Sequence, residues 1–207
     1  MSARFVLDVF SDYICPWCYL GTASVARLRQ EHDLTIRWVH YPLHPDTPAN
    51  GIAFKDRYGQ RSKDQIESQR AAGEELRRLL DDAGLPQGKR THLYNSRLAQ
   101  ELSAWGATID AGDALHDALF AAYFVDNLNL SDRDVLCAVA KRVGLPAEEA
   151  RTVLDERRFR VQVDDDWNRA YTIGVTGVPA FWAKDLFLIG CQPDDVLDRF
   201  VSNMKAA

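Results

Sequence analysis

Cys15 and Cys18 bracket Pro16 and Trp17 in a chain of 207 residues with four cysteines. Such a pair can ligate a metal, exchange disulfides, or simply be buried. A tetrahedral zinc site needs two further ligands, and Cys137 and Cys191 stand in separate segments without a neighbouring His. The spacing therefore favours redox chemistry, with no metal expected. The attacking species in disulfide exchange is a thiolate, yet a free cysteine with a pKa near about 8.5 is only slightly ionised at neutral pH. A helix N-terminus favours the anion by about 0.3–2 kcal/mol, or at most about 1.5 pKa units at about 1.36 kcal/mol per unit. Further depression needs N–H or S–H hydrogen bonds to the sulfur, with Cys18 the nearest S–H donor to Cys15. Cys15 at a helix tip is then the exposed, more acidic thiol and the nucleophile, and Cys18, one turn inside toward the core, is the resolving thiol.

The flanking sequence supplies that helix. Phe5 to Phe10 reads as a short buried strand, and Ser11-Asp12-Tyr13 breaks it. From Cys15 to about Glu31 the pattern is helical, with Pro16 near the first helical position, where a missing N–H costs nothing. Leu34 to Tyr41 alternates again, with Leu34, Ile36, Trp38 and His40 on one side, until Pro42, Pro45 and Pro48 end it. This is a β-α-β unit.

Between Ser62 and about Ile173 helical patterns replace strands. Ile66, Gly73, Leu76, Leu80 and Ala83 form one stripe, Tyr94, Leu98, Leu102 and Trp105 a second, and Leu115, Leu119 and Ala122 a third. Ser131 with Asp134 marks a helix start, followed by Val135, Val139 and Val143. Gly84-Leu85-Pro86 and Gly144-Leu145-Pro146 read as stops, and a last helix of this region runs from about Phe159 to Ile173. Strand patterns return at Ala180–Ala183 and Leu186–Ile189 around a Lys184-Asp185 turn, before a helix from Pro193 to about Met204. The expected organisation is one α/β core, residues 1–44 with 161–207, carrying an all-helical insertion over 45–160.

A second constellation, Gly174-Val175-Thr176-Gly177-Val178-Pro179, immediately precedes the first of these late strands. Pro179 read alone is an ordinary strand-entry proline in trans, because only about 5–6% of X–Pro bonds are cis. Together with the upstream cysteine pair it has a second reading, in which a cis bond leaves the Val178 backbone free to pair with an extended substrate.

These stretches resemble the DsbA-like thioredoxin superfamily, and within it the FrnE-like oxidoreductases grouped with 2-hydroxychromene-2-carboxylate isomerases. The similarity rests on Phe10 through Gly21, with the Cys15-Pro16-Trp17-Cys18 motif inside, and on Gly174 through Phe181, supported by Phe120 through Phe124 and Gly190 through Pro193. It implies a thioredoxin-like core with a helical insertion, a nucleophilic Cys15 and a cis Pro179. In a thioredoxin core the turn after the final strand lies beside the cysteine helix tip and the proline loop, which places Cys191 with Pro16, Trp17, Val178 and Pro179 along one groove. Relatives often carry Ala where this chain has Cys191. Two readings of it stand, a small residue packed in a turn or a thiol forming a secondary disulfide, for which Cα atoms must come within about 7 Å.

The same superfamily contains glutathione-dependent isomerases and transferases, which carry Ser for the first cysteine, lack the second and have an Asp-Arg pair after the last strand. This chain has both cysteines and reads Gly190-Cys191-Gln192-Pro193-Asp194-Asp195. Protein disulfide exchange is accordingly expected, with disulfide- or dithiol-containing proteins as substrates, no tightly bound cofactor, and glutathione or another thiol as redox partner. The alternative is a glutathione-using small-molecule isomerase or transferase.

Composition narrows the remainder. Twenty-five basic against 30 acidic residues give a formal charge of −5, with no Lys/Arg cluster to track phosphates, so nucleic acid is not an expected partner. No segment approaches the roughly 18 apolar residues of a membrane span, and the N-terminal residues lack a signal-peptide pattern, so a cytoplasmic location is expected. His32, His40, His44, His92 and His116 show no metal-ligand spacing, Cys137 reads as a small buried hydrophobe, and Trp105 and Tyr123 as insertion core.

Overall fold

The computed structural model describes residues 5–58 and 62–206. The chain divides into two compact units, residues 1–43 with 164–207, and residues 44–163.

In the first unit, β1 (Phe5–Ser11) leads through a tight turn into α1 (Pro16–Glu31), and β2 (Leu34–His40) follows. β2 pairs parallel with β1, from Phe5 opposite Leu34 to Ser11 opposite His40. Leu7 and Val9 of β1, Val25 and Leu28 of α1, and Leu34 of β2 enter one apolar core, against which Ile36 and Trp38 pack. Asp8 interrupts the apolar run of β1 yet is only 2% exposed. Both its oxygens bond the Arg37 guanidinium at 2.6 Å, and Arg169 also pairs with it. A buried carboxylate is tolerated here because two cations and their N–H groups replace its water.

The second unit opens with β3 (Ile52–Ala53), α2 (Phe54–Tyr58), α3 (Lys63–Asp82) and β4 (His92–Leu93). It continues with α4 (Arg97–Thr108), α5 (Gly112–Phe124), α6 (Arg133–Arg142) and α7 (Ala147–Asp155), and the division between units falls within α8 (Arg160–Thr172). The segment is not all-helical, since β3 and β4 form a small antiparallel pair with Ile52 opposite Leu93. Two-residue strands are too short to show a period of two, so the sequence pattern carried no trace of them. Tyr94 precedes α4 instead of belonging to its stripe, and on the α3 stripe Ile66 is 52% exposed and Ala83 exposed, Gly73 and Leu76 are half-buried, and Leu80 alone is buried. Both Gly-Leu-Pro segments end helices by one device: Gly84 and Gly144 take positive φ, and the following Leu amides bond back to the Leu80 and Ala140 carbonyls at 2.9 and 3.0 Å. Pro146 also caps α7, a helix that a reading of this proline purely as a stop does not anticipate. Leu115, Leu119, Trp105 and Tyr123 are buried, as is Cys137.

Back in the first unit, β5 (Ala180–Ala183) and β6 (Leu186–Ile189) form the expected hairpin, and α9 (Asp194–Ala206) ends the chain. β5 pairs antiparallel with β1, giving the mixed order β2-β1-β5-β6. Phe181 and Ala183 of β5 and Leu197, Phe200, Val201 and Met204 of α9 complete the core begun by β1 and α1.

Candidate active site

The turn between β1 and α1 is built on Asp12. Its carboxylate accepts the Ile14 amide at 3.2 Å and the Leu43 amide at 3.0 Å, and its carbonyl accepts the Cys15 amide at 3.0 Å. The residue is 1% exposed, so these bonds take the place of water on a buried carboxylate. An Asx turn of this kind is a known role for aspartate after a strand.

Cys15 itself is the N-cap of α1, with extended backbone, and Pro16 is the first helical residue. The thiol takes the place a Ser or Asp oxygen usually holds, because its sulfur accepts the Cys18 amide at 3.4 Å. On its other side the Cys15 thiol donates to the Val178 carbonyl at 3.5 Å. The Val178–Pro179 bond is cis, as the family resemblance implied and against the base rate for prolines. Gly21, one turn beyond Cys18, lies beneath Pro179, and a methyl group there would stand 3.5 Å from the proline ring.

The structure corrects one expectation. Cys15 is no more exposed than Cys18, since both are 3% accessible. The contact with Val178 covers the first thiol, while Trp17 between the two cysteines is 39% exposed. What separates the cysteines is position, Cys15 as the N-cap of α1 and Cys18 within its first turn. Burial pushes the Cys18 thiol well above its ordinary range, and the neighbouring Cys15 sulfur adds to this; the Asp12 amide and the Ser11 hydroxyl oppose it with hydrogen bonds. Ser11 and Asp12, read from sequence only as strand breakers, thus shape the site.

Cys191 follows β6 and is half-buried, and all four cysteines are free thiols. The preceding Gly190 donates its amide to the Pro179 carbonyl at 2.7 Å, which ties this turn to the proline segment. Burial raises the Cys191 thiol first, and the Cys15 sulfur raises it further. Cys15, Cys18, Pro16, Trp17, Val178, Pro179 and Cys191 all belong to the first unit. Elsewhere, Glu31, His32 and Asp198 bring ligand-type atoms within 4.8 Å of one another, but Arg27 pairs with Glu31 and with Asp198, so that group is an ion-pair cluster.

A sequence model of the DsbA-like thioredoxin domain matches residues 6–202. The chain belongs to the DsbA-like thioredoxin family. Within the curated proteins it is similar to the uncharacterized protein YwbO of Bacillus subtilis, 26% identical over 95% of this chain and 96% of that one. This DsbA-like chain also shares its fold with a probable DsbA oxidoreductase from Streptomyces coelicolor at TM-score 0.84, 24% identity, over 98% of this chain and 89% of that one. A 2-hydroxychromene-2-carboxylate isomerase matches at TM-score 0.76 and 20% identity, over 97% and 95% of the chains. The cytosolic disulfide reductase DsbM of Pseudomonas aeruginosa matches at 0.71 and 19%, over 98% and 100%. The resemblance to DsbA-like oxidoreductases holds for family and fold. Among the described residues, no helix is long and apolar enough to cross a membrane.

Proposed function

We propose that this DsbA-like protein is a thiol–disulfide oxidoreductase acting on protein disulfides or dithiols, with Cys15 as nucleophile and Cys18 as resolving thiol. The observation that carries this reading is the paired placement of the sulfurs: Cys15 at the tip of α1 accepting the Cys18 amide, and a second thiol behind it that burial keeps protonated. As a thiolate, Cys15 keeps that N–H bond and loses its donation to Val178, whose carbonyl is then free to accept an amide from an extended substrate. Trp17, between the two cysteines, offers an exposed apolar face.

In the reductive direction the Cys15 thiolate attacks one substrate sulfur, the substrate disulfide breaks, and its other sulfur leaves as a thiolate. Cys18 then loses its proton, attacks Cys15 Sγ and expels the remaining substrate sulfur. The substrate gains two electrons and the protein is left with a Cys15–Cys18 disulfide, which an external thiol such as glutathione reduces. Reversal of the same steps oxidises a dithiol. Support for glutathione as that thiol, and for a cytoplasmic setting, comes from the similar fold of DsbM, a cytosolic reductase also solved with GSH. The two cysteines weigh against the small-molecule isomerase chemistry named for the other relative, because a resolving thiol has no part in it.

Turnover of a disulfide-bonded test protein, with glutathione or a dithiol as electron source, tests the proposal. Cys15→Ser, and Cys18→Ser in a Cys191→Ala background with a dithiol as electron source, should each lose multiple-turnover reduction by about a hundredfold or more. Comparable turnover by wild type and by Cys18→Ser in the Cys191→Ala background, in the absence of glutathione, would remove Cys18 from the mechanism.

A further inference from the structure

Cys191 is the third sulfur of the candidate site, and the mechanism above leaves it unused. Two contacts fix where it stands. The Gly190 amide on the Pro179 carbonyl, at 2.7 Å, carries the β5–β6 ladder one residue past the pairing of Ala180 with Ile189. The residue before that proline, Val178, is the one whose carbonyl lies 3.5 Å from Cys15 Sγ. Gly190 has φ +91°, a conformation that L side chains rarely adopt, so the exit from β6 at Cys191 is set by the backbone. Continued by one more residue, that register sets Cys191 across from Val178. Unlike Cys18, Cys191 retains access to solvent.

We propose that Cys191 is a second resolving thiol, which attacks Cys15 Sγ in a mixed disulfide and forms a Cys15–Cys191 bridge. This rests on the reading of Cys15 as the nucleophile. Cys191 gives its proton to solvent and its sulfur bonds to Cys15 Sγ; the bond from Cys15 to the substrate sulfur breaks, and that sulfur leaves with the electron pair. The substrate disulfide has then been reduced and Cys15 with Cys191 oxidised. Cys18 remains reduced and can attack Cys15 in turn, releasing Cys191, so the bridge is a waypoint to the Cys15–Cys18 disulfide. Such a relay frees the substrate before the buried Cys18 has to react.

The test uses the full chain with Cys137→Ala and Cys18→Ser, so that only Cys15 and Cys191 remain, treated with one equivalent of an aromatic disulfide such as dithiobis-nitrobenzoate. The expected result is release of about two equivalents of aromatic thiolate per chain, at a second-phase rate independent of protein concentration. The product should carry no adduct, and peptide mapping should join Cys15 to Cys191. A stable adduct on Cys15 with about one equivalent released would overturn the proposal while leaving the nucleophile in place. If no adduct forms on Cys15 at all, the nucleophile assignment fails and the relay with it. Cys18→Ala in the same background controls for any disturbance from the serine hydroxyl.

Discussion

Cys15 and Cys18 are equally buried but differ in place, Cys15 as the N-cap of α1 and Cys18 in its first turn. The raised pKa of Cys18 gives a pH dependence of stability with a definite sign. Below the ordinary thiol range, about pH 8.5, Cys18 is protonated folded and unfolded alike and does not tilt the balance. Above it the unfolded chain releases this proton and the folded one holds it, so stability falls with rising pH. Denaturant unfolding of the reduced protein at pH 7 and at about pH 9.5 should show a steeper loss for wild type than for Cys18→Ser. Equal losses would mean that Cys18 is not held protonated by the fold. At this scale the sequence revealed both cysteines, Trp17 and Pro179 through their spacing and type. It did not reveal the burial of Cys15 or the roles of Ser11 and Asp12, because these depend on a carbonyl 163 residues away and on the Leu43 amide, which no local pattern encodes.

Elements deliver these residues through their ends. The N-terminus of α6 is capped by Asp132, whose carboxylate accepts the Asp134 and Val135 amides at 2.7 and 3.4 Å. Replacing Asp132 with Ala should cost about 1 kcal/mol in a denaturant melt. The signal Ser131 with Asp134 located this helix start one residue early, since Ser131 spends its hydroxyl on the Asn95 carbonyl instead. Strands and helices with a full period of buried residues, such as β1, α1, β2 and the β5–β6 hairpin, were legible to within a residue or two. Those whose contacts are two residues long or wholly tertiary were not, as β3, β4 and α7 show. Asp8 belongs with the latter, for its partners Arg37 and Arg169 come from β2 and α8. Arg169 also lies over Trp182, 4.8 Å from the ring centroid. Arg169→Ala should therefore lower stability by roughly 1–3 kcal/mol, with the loss read from the unfolding midpoint.

Across the whole molecule, the residues of the candidate site all lie in the unit formed by residues 1–43 and 164–207. The other unit has its own buried charge, Glu101, 1% exposed and bonded to Arg97 at 2.7 Å and to Arg157 at 2.6 Å. Glu101→Ala removes the carboxylate that both cations share and should destabilise the protein by roughly 1–3 kcal/mol, while the alkylation rates of Cys15 and Cys18 in the folded protein stay unchanged. A change in those rates would show that the site depends on more than its own unit. The central claim is that the helix tip makes Cys15 the attacking sulfur and that burial holds Cys18 back. Its most direct measurement is competitive alkylation of the reduced protein at neutral pH, quenched over time and mapped by peptide mass. Cys15 should be labelled at least about tenfold faster than Cys18; labelling of Cys18 at an equal or greater rate would contradict the account.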